Sequence, residues 1–216
     1  MYAAPVRTLV LALALLGMAV TTALAQSVGP IPPFAADIRG FSTGLGQDPL
    51  TASGLGVDPT DLPSRGIGGT AGVHVYPLRL RRLSIGIGGE GIVARGRAHR
   101  EPEDGQPAGP AVQQRLRGLS GNLSLNFGDR NGWSYLTAGM GPMAFTSYLG
   151  ETAPSGPSPR KMTINMGGGA RWFFTPHVAL AFDVRFYLTR PEEIVEPYPG
   201  RQRTRLLVLS GGLSFK

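Results

Sequence analysis

From Val178 to Leu188 the chain reads VALAFDVRFYL, and its polarity alternates without a break. On an extended strand Val178, Leu180, Phe182, Val184, Phe186 and Leu188 share one face, while Asp183 and Arg185 lie on the other. A strand with one wholly apolar face and two opposite charges behind it leaves few options. The apolar face must be removed from water, and charges that are removed with it must be held in pairs. A closed sheet satisfies both demands, with its apolar side either in lipid or around a soluble core.

The same period-2 pattern recurs along the chain, and no run of ~18 apolar residues after the first 26 predicts a spanning helix. Gly66 to Tyr76, Leu83 to Arg95, Gln114 to Phe127, Trp133 to Thr146, Lys161 to Phe174, Val178 to Leu188 and Arg203 to Phe215 each read as a strand. Their connections alternate. Pro77 to Arg82, Gly128 to Gly132 and Thr175 to His177 are short, whereas Gly96 to Gln113, Ser147 to Arg160 and Thr189 to Gln202 are long and rich in Pro, Gly and charge. Bacterial outer-membrane barrels have short periplasmic turns and long outer loops, which gives every strand a direction. Gly66 to Tyr76 then runs toward the periplasm, so an earlier strand must rise before it. Phe34 to Leu45 is the candidate, Gly46 to Arg65 becomes the first outer loop, and the count reaches an even eight.

Alternation alone does not say which face is outside, because a soluble lipocalin-like barrel turns its apolar side inward. The set opposite the apolar residues decides it. Leu119, Leu123, Leu125 and Phe127 oppose Ser120, Asn122, Ser124 and Asn126, and Met162, Ile164 and Met166 oppose Thr163, Asn165 and Gly167. A solvated exterior would be dense in Lys and Glu. A set dense in Gly, Ser and Asn fits the lumen of an eight-stranded barrel, which has room only for side chains. The lumen charges are then Asp37, Arg39, His74, Glu90, Arg171, Asp183 and Arg185. If the turn at Thr175 to His177 sets Phe174 opposite Val178, Gly169 faces Asp183 and Gly167 faces Arg185, so the glycines make space for long charged side chains. A network of Glu90, Arg171, Asp183 and Arg185 is expected to close the lumen to solutes.

The N-terminus has Arg7, an apolar run from Leu9 to Val20 and Ala23-Leu24-Ala25 before Gln26. This pattern predicts a secretory signal peptide cleaved after Ala25; the run is shorter than the ~20 residues of a spanning anchor. The exported chain has no cysteine, which removes a disulfide scaffold, a Cys-ligated metal and a lipoprotein cysteine from consideration. The full sequence's net charge of +7 invites nucleic acid as a partner, but the Lys and Arg are not interleaved with stacking aromatics.

With the leader, eight strands, alternating connections and the last strand LLVLSGGLSF, the mature chain resembles the small outer-membrane β-barrel family, which includes the OmpA transmembrane domain, OmpX and opacity-type proteins. The resemblance implies residence in the outer membrane and insertion by the barrel-assembly machinery. It also implies an assembly signal in the last strand, with Leu207, Leu209 and Leu213 leading to Phe215; here the chain runs one residue further, to Lys216.

Some members of such families modify lipid A or phospholipid with a His and a Ser at the barrel rim. The three histidines here, His74, His99 and His177, fall in a strand, an outer loop and a periplasmic turn, with no triad spacing. No His or Asp pair has metal-ligand spacing, and GIGGEG at Gly86 lies inside a strand with no helix following, unlike a nucleotide loop. Arg95, Arg97, Arg115, Arg117, Arg203 and Arg205 are different. They take the outward parity at the outer strand ends, where guanidinium groups can meet lipopolysaccharide phosphates. Trp133, Tyr135, Trp172, Phe174 and Tyr148 read as aromatic girdles. In the fifth strand Trp133 and Tyr135 share one face and Leu136, Ala138 and Met140 the other, so its parity stays open.

The expectation is therefore an all-β, eight-stranded antiparallel up-and-down transmembrane β-barrel, non-enzymatic, with a structural, adhesive or envelope-integrity role. Residues 1–25 are the signal peptide, 26–33 a periplasmic segment and 34–216 the barrel. The partners are outer-membrane lipid and lipopolysaccharide and, during biogenesis, the assembly machinery. A monomer with no cofactor, no metal and no nucleic acid is expected, against the alternatives of a lipid-modifying barrel enzyme and a soluble periplasmic binder.

Overall fold

The computed structural model describes residues 29–80, 82–100, 109–156 and 158–216. The expected leader and its cleavage site lie outside the described residues. The strands are β1 (Phe34–Gly44), β2 (Arg65–Leu80), β3 (Leu83–Ala98), β4 (Val112–Asp129), β5 (Gly132–Leu149), β6 (Lys161–Phe173), β7 (Val178–Leu188) and β8 (Arg205–Phe215). Each pairs antiparallel with the next, and β8 pairs with β1 to close the barrel. The first strand, demanded by topology more than by its own pattern, is present. The register at the β6–β7 turn is also as expected: Phe174 N–H donates to the Val178 carbonyl, Gly169 pairs with Asp183 and Gly167 with Arg185.

β2 to β5 are longer than the alternation alone indicated, running 16 to 18 residues. Backbone pairing continues past the apolar band, where polarity no longer alternates but the antiparallel ladder still pairs the strands. Pro77 lies inside β2, at a register shift between Val75 and Leu78, the kind of irregularity where a strand tolerates a residue with no N–H.

The first long connection is not irregular throughout. Pro49–Leu55 form a helix, α1, started by Asp48, whose side chain accepts from Thr51 N–H at 2.9 Å, and stopped by Gly56 at φ 66°. A 3₁₀ turn at Pro59–Asp61 follows, capped by Asp58. This loop folds over one end of the barrel, where Ala52 and Leu62 pack with Val112 and Leu149.

Outside, the wall is apolar on every strand. Ile38, Val73, Ile87, Leu123, Leu136, Ile164, Phe182 and Leu209 are each about half exposed or more. Inside, the lumen is stratified. At the short-turn end Ile31, Ala35, Tyr76, Trp133 and Tyr135 form one cluster with Phe173. The charges occupy the middle. Toward the long loops a second cluster holds Phe41, Ile92, Leu116, Tyr187, Leu206 and Val208. The lumen is therefore not the uniformly small and polar space its strand composition suggested, because a closed barrel end is packed like any protein core.

Candidate functional site: the filled lumen and the arginine wall

Asp37 and Arg39 come from β1, His74 from β2, Glu90 from β3, Arg171 from β6, and Asp183 and Arg185 from β7. Strand parity turns all seven inward, and none is more than 4 % exposed. They sort into two groups. Arg171 grips Asp37 through two parallel hydrogen bonds, Nε to Oδ1 at 3.0 Å and Nη2 to Oδ2 at 2.5 Å, and His74 Nε2 lies 3.5 Å from the same carboxylate. The second group joins Arg39 and Arg185 to Glu90 and Asp183. Arg185 donates to Glu90 at 2.6 Å and to Asp183 at 2.9 Å, and Arg39 contacts Glu90 directly.

Arg171 does not join Glu90, Asp183 and Arg185 in one network, as the sequence suggested. Its place beside Glu90 is taken by Arg39, whose side chain reaches past the intervening β2 to β3 inside the narrow lumen. Three carboxylates face three guanidinium groups, so each buried acidic side chain has a basic counterpart. The link between the groups is Tyr135, which the sequence reads as part of an aromatic girdle on a strand of open parity. Its hydroxyl accepts from Arg39 at 2.9 Å and donates to Asp183 at 2.8 Å, and the Arg171 guanidinium carbon stacks 4.4 Å from the centre of its ring. Trp133 is likewise inside, stacked on Phe173 at 5.1 Å. The girdle assignment thus fails for both; Leu136 and Met140, exposed on the opposite face, carried the parity that settles β5. Trp172 and Phe174 do point outward. Tyr148 has outward parity but is 2 % exposed, with the Arg115 guanidinium against its ring and its hydroxyl donating to Gln113 at 3.2 Å.

The long-loop end carries a further buried cation that sequence reasoning missed. Arg201 donates to the Leu45 carbonyl and, at 3.0 Å, to Thr204, and lies over the Phe145 ring. Burial pulls its guanidinium down to about 10, against the pull of Asp48 and Glu192. The same burial raises the Glu192 carboxyl above its ordinary range, against Lys161 and Arg201. Arg201 latches the first long loop to the last, a contact between segments far apart in sequence and so invisible to local pattern.

On the wall, Arg95, Arg97, Arg117, Arg203 and Arg205 are exposed and Arg115 is half-buried beneath the Tyr148 ring. Arg97 meets Glu151 at 2.6 Å. The β3–β4 register sets Arg95 directly opposite Arg115. Leu207, Leu209, Leu213 and Phe215 of β8 share the outward face. His74 is enclosed in the lumen, while His99 and His177 lie at opposite ends of the barrel. Among the described residues no three His, Asp or Glu side chains converge as a metal site.

These features define a class: a closed eight-stranded barrel with an apolar outer wall and a lumen filled by paired charges between two packed layers. No protein-family model matches the sequence, and no curated protein matches it. Among solved structures the chain is similar in fold to Neisserial surface protein A, with 14 % identity and a TM-score of 0.50 over 85 % of this chain and 96 % of that one. Looser superpositions are made with the N-terminal β-barrel domain of Pseudomonas aeruginosa OprF (14 % identity, TM-score 0.39, 86 % and 98 %) and with Ail, the attachment invasion locus protein of Yersinia pestis (13 %, 0.37, 84 % and 96 %).

Proposed function

We propose that this chain is an outer-membrane protein that spans the bilayer as a monomeric barrel, with a non-enzymatic structural, adhesive or envelope-integrity role. The observation that carries the reading is the apolar wall. Large aliphatic and aromatic side chains stand exposed on all eight strands, far beyond the few hundred Å² of contiguous apolar surface a soluble monomer tolerates. In lipid the same wall is stable, because a closed barrel leaves no backbone edge unpaired. Long loops on one end, with α1 and the Arg201 latch, then face the cell exterior, and the short turns face the periplasm. Export by the N-terminal leader with cleavage after Ala25, and insertion by the assembly machinery through the β8 pattern, belong to the same proposal.

The test is gel mobility of the protein from isolated outer membranes, run in SDS with and without boiling. The expected result is a faster band unboiled that shifts on heating, as a closed barrel resists SDS until heated. Recovery in the soluble periplasmic fraction without detergent, and with no shift, overturns the reading.

A further inference from the structure

The glycines of the wall fall into two kinds. Those facing inward are required by what lies against them: a Cβ at Gly88 would overlap His74, at Gly139 would overlap Asn122, and at Gly169 would overlap the Phe182 carbonyl. Several outward-facing glycines have no such reason, Gly40 and Gly211 among them, and three of these adjoin one another on β3 and β4. A Cβ at Gly121 would meet nothing within 4 Å, at Gly89 only the Ser120 carbonyl at 3.9 Å, and at Gly91 the tip of Leu119 at 3.5 Å. None has a positive φ. Glycine weakens a strand, and at these positions neither sterics nor backbone conformation demands it.

Their placement shows what they do. Gly91 pairs with Ala71 on one side and Leu119 on the other, and Gly89 pairs with Val73 and Gly121. The small residues form the floor of an open groove on the apolar wall, with Ile38 and Met140 on its margins. It offers about 630 Å³ in its lower part and about 810 Å³ where it continues toward the long loops. The upper part is bounded by Arg117 and by Arg160 of the loop folded over β5. Two residues further along the ladder, ~6–7 Å nearer the loop end, Arg95 and Arg115 sit directly opposite each other. Like charges directly opposed across a ladder are destabilising unless an anion lies between them, and among the described residues none of Arg95, Arg115 and Arg117 pairs with a carboxylate.

We propose that this face seats one lipopolysaccharide molecule of the outer leaflet, its phosphate held by Arg95, Arg115 and Arg117 and one acyl chain lying in the Gly89/Gly91/Gly121 groove. This rests on the outer-membrane reading and deepens it, naming one lipid and one place. The charge lies at the loop end and the apolar groove toward the bilayer centre, the order in which an outer-leaflet glycolipid presents phosphate and acyl chain. Arg forks match phosphate bidentately.

The experiment uses the mature protein in phosphatidylcholine nanodiscs, with purified lipopolysaccharide added, reading the unfolding temperature and the lipopolysaccharide retained after washing. Lipopolysaccharide is expected to raise the unfolding temperature of the wild type. The Arg95→Ala/Arg115→Ala/Arg117→Ala variant is expected to lose that rise. The groove-filling Gly91→Leu/Gly121→Leu variant, with all arginines intact, is expected to need about tenfold more lipopolysaccharide for the same rise, while Ala138→Leu, outward but outside the groove, behaves as wild type. If Gly91→Leu/Gly121→Leu binds as wild type, the acyl seat is wrong. If the arginine variant binds as wild type, the phosphate site is wrong. An equal rise with phosphatidylglycerol overturns the assignment to lipopolysaccharide. Each of these failures leaves heat-shifted mobility in the outer membrane intact, so it is distinguishable from failure of the outer-membrane reading.

Discussion

At the scale of single residues the interior is governed by pairing. Asp37 has Arg171 on one side and His74 on the other, and all three side chains are buried. Replacing it as Asp37→Asn leaves the Arg171 charge buried without a counter-charge, which costs about 3–5 kcal/mol when one partner of a buried pair is lost. The expected outcome is a lower urea midpoint for the refolded barrel, largely restored in the double variant Asp37→Asn/Arg171→Met; a double variant no better than the single one would show that the pair does more than neutralise charge. The glycines give a paired prediction. Gly121→Ala adds a methyl into open space and is expected to stabilise by about 0.4–1 kcal/mol, since it only restricts the unfolded chain. Gly139→Ala drives the same methyl into Asn122 and the Gly121 carbonyl and is expected to destabilise. Equal effects of the two would contradict the division of glycines into inward and outward kinds.

At the scale of elements, the short segment before β1 is part of the barrel more than a tether. Tyr76 N–H donates to the Pro33 carbonyl at 2.8 Å and Arg130 N–H to the Gly29 carbonyl at 3.1 Å, which brings Ile31, fully buried, up against Tyr76 and Trp133. Its three prolines suit a strap that crosses the barrel mouth without joining the sheet, because they have no N–H to leave unpaired. Ile31→Ala is expected to lower stability by about 2–5 kcal/mol, as a large-to-small change in a packed cluster, checked by urea unfolding of the refolded barrel with Trp133 and Trp172 fluorescence. An unchanged midpoint would mean the strap is not part of the fold's stability. The strands show why their ends were harder to read than their centres. Leu125, Leu123 and Leu119 stand out of β4 with Asn126, Asn122 and Ser120 on the other face, but from Arg117 to Val112 the polarity inverts, with Leu116 and Val112 buried and Arg115 and Arg117 outward, although pairing runs on. Alternation marks where a strand has two different environments on its two faces; where both faces are covered or both are wet, hydrogen bonding continues without that mark.

At the scale of the whole molecule, an aromatic layer, a balanced charge layer, an apolar layer and a loop cap are stacked along the barrel. The purified barrel in planar bilayers is expected to show no sustained single-channel conductance between unfolding events. Robust steady conductance would mean that the charge layer lines a pore, and that the layers above and below it open together.

Much of this was legible in one dimension. Strand number, antiparallel order, the inward placement of Asp37, Arg39, His74, Glu90, Arg171, Asp183 and Arg185, and the pairing of Gly169 with Asp183 all follow from period-2 polarity and loop length, because a strand's two faces and its turn are local properties. What lay outside that reach depends on which strands meet across a closed cylinder. Asp37 takes Arg171 as its partner, Glu90 takes Arg39, and Tyr135 stands between the two groups, all from strands distant in sequence. The fifth strand's parity, the Arg201 latch and the alignment of Gly89, Gly91 and Gly121 beneath Arg117 were settled only when the sheet closed. Alternation tells a side chain which face it is on; only the curvature and register of the whole barrel decide what it meets there.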